Sequence, residues 1–194
     1  SMWKSATDLG IPKVLVVNGL DREHTKFEKI LEQAKERIGK NVFPMQLPVN
    51  AGPGFNQIVD VLRRELITYK TDGSGKYSED ELPANLISRI DDLHSELIEY
   101  VAESDDSLLE KFFENGNLSE EEMRGGIHDA IQNQVFIPLF CVSAIQNIGV
   151  PRLCDFIAKY GASPDDRKTV RAINFNDEEI AISLDGKDTV IQIF

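Results

Sequence analysis

The sequence predicts an α/β fold in which a parallel sheet is interrupted by an α+β insert and followed by further, truncated β-strands. Two runs, at residues 12–17 and 135–142, are rich in β-branched and apolar residues with little polar alternation. This pattern is typical of strands buried on both faces of a parallel sheet. The chain between the two runs has strand-like and helical patterns of its own, and three segments after residue 169 alternate with a period of two.

The first predicted strand leads into a polar loop and then a helix. The loop reads Asn18-Gly19-Leu20-Asp21, and Gly39 stops the helix that follows. Apolar residues recur along that helix at spacings of three and four: Phe27, Ile30, Leu31 and Ala34. A loop at the carboxyl end of a buried strand is the standard place for a ligand site in an α/β protein.

The middle of the chain predicts a separate α+β unit. Strand-like runs are expected at residues 42–49, 57–62 and 67–69, and residues 71–75 form a turn. An amphipathic helix is predicted over residues 83–102 and a shorter one over 106–114. Ser119 with Glu122 is a capping box that opens a third helix.

The second buried strand also ends in a polar loop, Ser143-Ala144, and a helix is predicted from Pro151 to Tyr160. Beyond it, strands are expected at residues 170–175, 179–184 and 189–194. Because Ser1 precedes Met2 and the last strand is still running at Phe194, we expect a piece of a longer protein.

Composition excludes several classes of function. The net charge of −12 disfavours direct binding to nucleic acid, which depends on Lys and Arg displacing counterions. No apolar run approaches the roughly 20 residues that cross a bilayer, and no signal peptide is recognisable. We therefore expect no membrane partner, and two free cysteines suit a reducing cytoplasm.

The cysteines and histidines predict neither a metal site nor a catalytic centre. Cys141 and Cys154 lie in apolar stretches without metal-ligand spacing, so both are expected to be buried free thiols. The three histidines are scattered along the chain. They form no paired ligand motif and no nucleophile–base arrangement.

An Asn-x-x-Asp segment after a buried strand suits recognition of guanine. The Asp carboxylate accepts hydrogen bonds from N1–H and from the exocyclic amine, a donor pair that adenine lacks. A mispaired base leaves buried polar groups unsatisfied, at about 1–3 kcal/mol each. A backbone N–H in a second loop then donates to guanine O6, and Ser143-Ala144 is placed for that role. Capping or turn roles for Asn18 and Ser143 remain open alternatives.

The segments around both loops resemble the elongation factor G family of translational GTPases. Residues 17–23 resemble its fourth GTPase motif, which usually reads Asn-Lys-Met-Asp-Arg. Residues 143–150 resemble its fifth motif, Ser-Ala-Leu-Lys-Asn-x-Gly-Val. Residues 45–48 and 58–62 are similar to the opening of the G-prime insert of that family.

The resemblance implies a partial P-loop GTPase-type parallel sheet and divides the chain into four segments. Residues 3–38 and 135–164 would belong to the GTP-binding domain, with a guanine motif in the first and the Ser-Ala motif in the second. Residues 39–134 would form the G-prime insert, and residues 165–194 would begin a β-barrel, domain II. The implied function of the intact protein is translocation of tRNA and mRNA on the ribosome, with GTP or GDP and Mg²⁺ as cofactors.

The same resemblance assigns nucleotide recognition to Asn18, Asp21, Ser143 and Ala144. Gly19 departs from the motif, which has a Lys whose aliphatic stem covers one face of the base. Its loss removes apolar cover worth about 1–2 kcal/mol. The chain also lacks a Gly-x-x-x-x-Gly-Lys-[Ser/Thr] loop and a Mg²⁺-holding segment. Phosphoryl transfer needs those parts, so we expect no catalytic residue and no bound cofactor in this chain alone.

The helix at residues 83–102 carries acidic residues opposite its apolar stripe. In the resembled family this helix is where the C-terminal domain of the ribosomal stalk protein docks, which implies a partner surface at Glu96, Glu99 and Glu103. A plain solvated face is the alternative. Two other functions stay open: a docking module in a paralogue with weak or lost GTP use, and a related ribosome-protection or peptide-release GTPase.

Overall fold

A computed structural model describes residues 2–163, 166, 168–174 and 176–184. The chain forms two compact units, Ser1–Gly161 and Ala162–Phe194. The helices in chain order are α1 (Met2–Asp8), α2 (Phe27–Arg37), α3 (Ile87–Ala102), α4 (Asp106–Asn115), α5 (Glu120–Gln132) and α6 (Val150–Tyr160). The strands are β1 (Leu15–Asn18), β2 (Val42–Pro44), β3 (Gln46–Pro48), β4 (Gln57–Asp60), β5 (Glu65–Tyr69), β6 (Tyr77–Asp80), β7 (Ile137–Val142), β8 (Thr169–Ile173) and β9 (Glu179–Ser183).

A three-stranded parallel sheet of order β1-β7-β2 forms the base of the first unit, which confirms the predicted fold class. Every residue of the central strand β7 is buried, as its apolar sequence predicts. β1 pairs with β7 in a register that places Leu15 opposite Leu139 and Asn18 opposite Val142. The two strands therefore end at the same edge of the sheet.

The predicted strand at residues 42–49 is in fact two strands that belong to different sheets. β2 pairs with β7, and the Met45 amide donates to the Leu139 carbonyl at 3.0 Å. From Gln46 onward the chain pairs with β4 instead. The parallel sheet thus includes Val42–Pro44, and the separate antiparallel sheet begins only after Met45.

The antiparallel sheet has the order β3-β4-β5-β6, and α3, α4 and α5 follow it in the chain. β6 was not predicted because its sequence, Tyr-Ser-Glu-Asp, has no apolar alternation and three of its four residues are exposed. The short helix α1 was also missed. The helix predicted from residue 83 begins only at Ile87, after a turn in which the Leu86 amide donates to the Pro83 carbonyl.

Arg152 of α6 joins the insert sheet to the rest of the first unit. Its guanidinium pairs with Glu65 and, at 2.9 Å, with Glu79, and it lies 5.2 Å from the centre of the Tyr77 ring. The Arg152 side chain is only 6% exposed. Burial raises the pKa of Glu65, while the charge of Arg152 opposes that shift. Breaking such a pair leaves a buried charge uncompensated, so the contact holds the two parts together.

The two cysteines differ in exposure. Cys141 on β7 is a buried free thiol, and burial raises its pKa well above the usual value. Cys154 is also free but exposed, so its predicted burial was wrong. The buried face of α6 carries Arg152, Phe156 and Tyr160. Cys154 is two residues from both Arg152 and Phe156, which places it on the opposite, exposed side of the helix.

The second unit contains a two-stranded antiparallel hairpin, β8 with β9. The pairing runs from Thr169 opposite Ser183 to Ile173 opposite Glu179, in agreement with the period-two pattern of both segments. The turn expected after residue 184 and the strand predicted at residues 189–194 lie outside the described residues.

Two adjacent glycines of α5 lie in opposite environments and provide a test of the packing between α3 and α5. A Cβ atom on Gly126 would collide with Val101 Cγ1 and lie 2.9 Å from Leu108 Cδ1, whereas nothing lies within 4 Å of one on Gly125. We expect Gly126→Ala to lower the free energy of unfolding by about 1–2 kcal/mol through overpacking. Gly125→Ala should raise it by about 0.5–1 kcal/mol through helix propensity.

Urea unfolding followed by circular dichroism at 222 nm measures both changes on the same helix. Gly125→Ala is the matched control, because it makes the identical chemical change one residue away. Equal effects of the two substitutions would show that α5 does not approach α3 closely at Gly126.

Candidate functional site

The first candidate loop follows directly from the end of β1. The Gly19 and Leu20 amides both donate to the Val142 carbonyl, at 3.1 and 3.4 Å, so the loop is anchored to the end of β7. Gly19 has a φ of +82°, which an L side chain rarely adopts. Leu20 is fully buried beneath the loop. The turn therefore leaves Asn18 exposed and Asp21 half-buried at the carboxyl edge of the sheet.

The second candidate loop closes on itself after β7. Ser143 and Ile148 exchange both of their backbone hydrogen bonds at 3.0 Å, and both residues are fully buried. The Ser143 hydroxyl accepts a hydrogen bond from the Gln146 amide at 3.4 Å. The buried Ser143 side chain therefore supports the loop beneath its exposed tip at Ala144 and Ile145.

Direct contacts join the two loops across a long separation in sequence. The Ala144 amide donates to Asn18 Oδ1 at 3.0 Å, although the residues are 126 positions apart. Gln146 Nε2 lies 3.5 Å from Asp21 Oδ2. The structure therefore brings Asn18, Asp21 and Ala144 together at one edge, with Ser143 directly beneath. Their role in nucleotide binding stays a prediction.

The polar groups at this edge include the donors and acceptors that the predicted guanine site requires. The Asp21 carboxylate is a pure acceptor, as the N1–H and exocyclic amine of guanine require. The amide NH₂ of Asn18 makes no hydrogen bond within the described residues and is a free donor beside it. The Ala144 amide is already engaged by Asn18, so it would reach guanine O6 only by releasing or sharing that bond.

Each loop is also braced by a turn of the insert. The Gly52 amide donates to the Leu20 carbonyl at 2.7 Å. On the other side, Asn147 Nδ2 donates to the Gly73 carbonyl at 3.3 Å, and the buried Gly75 packs against Asn147. The sequence predicts the turn at residues 71–75 but neither of these contacts, because both depend on the fold.

The predicted site concerns the base of a guanine nucleotide, and its phosphates would need other groups. The chain has no Gly-x-x-x-x-Gly-Lys-[Ser/Thr] segment, whose amides and Lys hold phosphate oxygens. Across the described ranges, no group of three or more His, Cys, Asp or Glu residues is placed to hold a metal ion.

The predicted partner surface lies on α3 and at its C-cap. The inner side of the helix buries Ile90, Leu97 and Val101, while Glu99 and Glu103 are exposed and Glu96 is half-buried. These three carboxylates pair with no basic side chain among the described residues.

The negative charge of this surface is not balanced by basic side chains among the described residues. Asp91, nearer the start of α3, differs from the three glutamates because its carboxylate pairs with Arg64. Burial raises the pKa of the Tyr100 hydroxyl, and the carboxylates of Glu96 and Glu103 raise it further. The three glutamates therefore form a continuous stretch of unneutralised charge.

Among the helices that the structure describes, none combines the length and the apolar character that crossing a bilayer requires.

Comparison with known proteins agrees with this geometry. A crystal structure of a protein from Thermus thermophilus superposes with a TM-score of 0.76 at 28% sequence identity, over 86% of this chain. This chain spans 24% of the length of that protein. The family model described as the elongation factor Tu GTP-binding domain matches residues 1–163, which include both candidate loops and the whole insert. The chain belongs to the elongation factor Tu GTP-binding domain family.

Proposed function

We propose that this chain supplies the guanine-recognition half of the GTP-binding domain of a ribosome-dependent translational GTPase of the elongation factor G type. In the intact protein, GTP hydrolysis would be coupled to movement of tRNA and mRNA on the ribosome, in the cytoplasm. The observation that carries the base-binding role is the Asn18–Ala144 hydrogen bond, because it unites both guanine motifs at one sheet edge.

In this proposal the four chain segments have separate roles. Residues 3–38 and 135–164 form the base site, with Asn18 and Asp21 reading the guanine and Ser143 and Ala144 shaping the second loop. Residues 39–134 form the G-prime insert, and residues 165–194 begin domain II. The phosphate loop, the switch segments and Mg²⁺ would complete the site in the intact protein and supply the hydrolytic chemistry. The chain alone would not hydrolyse GTP.

The acidic surface of α3 supports a second role, docking of the C-terminal domain of the ribosomal stalk protein. Glu99 lies in the last turn of α3 and Glu103 at its C-cap, where the helix dipole disfavours negative charge. The two are also four residues apart, where like charges repel. No described basic side chain neutralises them. A basic partner surface would therefore relieve this repulsion, and its attraction to the glutamates would speed association.

The two remaining candidates differ from this proposal in testable ways. A paralogue that has lost GTP use would keep the docking surface without a preference for guanine. A ribosome-protection or peptide-release GTPase would keep the guanine site but act at a different step of translation. The sequence at residues 45–48 and the size of the insert favour the elongation factor G type.

Guanine selectivity is tested by exchanging the hydrogen-bond pattern of Asp21. We expect the chain to bind GMP with a millimolar dissociation constant and to prefer it over AMP and XMP. Asp21→Asn converts an acceptor into a donor, which fits the 2-oxo group of xanthine instead of the amine of guanine. The variant should therefore prefer XMP over GMP, as measured by shifts of the amides of residues 18–21 and 143–147 in ¹⁵N-labelled protein.

Asp166→Asn is the matched control, since it makes the same change in the second unit and should leave the GMP preference unaltered. A wild-type chain that fails to distinguish GMP from AMP would refute the proposed base site. Micromolar binding of GDP would contradict the absence of a phosphate site.

Stalk docking is tested by reversing the charge of the α3 surface. We expect Glu99→Lys/Glu103→Lys to weaken binding of the stalk C-terminal domain by at least about tenfold, through loss of the charge complementarity. The same change should raise the free energy of unfolding, because each Lys near a helix C-terminus contributes about 0.3–1 kcal/mol. Titration calorimetry measures binding, and urea unfolding measures stability. Weaker binding by a more stable variant would show that the lost affinity does not come from misfolding.

Glu32→Lys/Glu36→Lys on α2 is the matched control, because both residues are exposed, lie four apart and give the same change in net charge. The docking role fails if both double variants weaken the interaction equally, or if neither does.

A further inference from the structure

Arg22 occupies the space where a side chain at position 19 would begin. A Cβ atom on Gly19 would lie 3.2 Å from Nε, 3.4 Å from Cδ and 3.7 Å from Cζ of Arg22. The backbone explains this placement, because the Arg22 amide donates to the Gly19 carbonyl at 3.1 Å and closes a turn. The Thr25 hydroxyl donates to the Arg22 carbonyl at 2.8 Å and fixes the end of that turn.

The guanidinium of Arg22 makes no ion pair with the described residues, although the residue is exposed. Its side chain lies against Gly19, on the loop that also carries Asn18 and Asp21. The loop therefore carries, beside the proposed base-reading groups, a planar cation that no described acidic side chain neutralises.

A guanidinium plane is well suited to cover a purine. Arg stacks on aromatic faces through cation–π and planar contact, and proteins that bind single nucleobases use Arg in this way. A Lys ammonium is a compact point charge and lacks that plane. Ile145, on the tip of the neighbouring loop, is 86% exposed and provides an apolar group there.

We propose that Arg22 is a base-covering residue, whose guanidinium lies against one face of the guanine and takes the place of the side chain that Gly19 lacks. The inference rests on the proposed function, since it assumes that Asn18 and Asp21 hold the base. It specifies how this chain covers a base without the motif lysine. The two positions then act as a pair, since a Cβ atom at position 19 would lie 3.2 Å from Arg22 Nε and the Arg22 side chain would have to shift to accommodate it.

The test is a double-mutant cycle at positions 19 and 22, read by GMP titration of the ¹⁵N-labelled chain. Arg22→Ala should weaken GMP binding by about three- to tenfold. The affinity of Arg22→Lys for GMP should lie between that of the wild-type chain and that of Arg22→Ala. Gly19→Lys alone should add little, because a Lys at a φ of +82° strains the loop and crowds Arg22. Gly19→Lys combined with Arg22→Ala should bind GMP more tightly than Arg22→Ala alone, so that the two changes are non-additive.

A spectroscopic readout distinguishes direct cover from a structural role. The Arg22 Nε–Hε resonance should move upfield on addition of GMP, because a proton above a purine ring experiences its ring current. Arg37→Ala, an exposed arginine in the last turn of α2, is the control and should leave GMP affinity unchanged.

The outcomes separate this inference from the function on which it rests. If the wild-type chain prefers GMP over AMP but Arg22→Ala binds GMP equally well, the role of Arg22 is refuted and the base site stands. If the wild-type chain shows no preference for GMP, both are refuted. Loss of affinity without any shift of the Arg22 resonance would also overturn direct cover.

Discussion

The parallel pairing of β1 with β7 is the constraint on which the candidate site depends, because it brings together two segments that more than a hundred residues of chain separate. Asn18 lies opposite Val142 in the register, so both strands end at one edge and their loops meet there. The Val142 carbonyl accepts hydrogen bonds from Gly19 and Leu20, which fixes the first loop on the end of the partner strand. A slip of one residue would turn every side chain of β1 to the opposite face.

The insert stabilises this edge as well as interrupting the sheet. Gly52 holds the first loop through the Leu20 carbonyl, and Gly73 accepts a hydrogen bond from Asn147 in the second. Arg152, buried between α6 and the insert sheet, holds the two parts in one arrangement. The insert therefore contacts both loops directly.

Charge is distributed over two surfaces with opposite character. The chain carries a net charge of −12, and three glutamates of α3 and its C-cap, unpaired among the described residues, concentrate part of it on one helix. Arg22, in contrast, is a cation at the edge of the sheet with no carboxylate partner in the described part of the chain. The first surface suits a basic protein partner, and the second suits an aromatic base with a negatively charged tail.

Local pattern by itself determined the buried strands, the loops that follow them and the capping box at Ser119, because apolar runs, turn residues and caps act over a few neighbouring positions. It could not identify β6, since the strand is defined by pairing with β5 and by its Glu79–Arg152 contact, and its own residues are polar. The exposure of Cys154 and the burial of Ser143 likewise depended on which face each element packs. Only the tertiary structure decided that Arg22 lies over Gly19 and that Ala144 meets Asn18, because such contacts depend on the path of the whole chain.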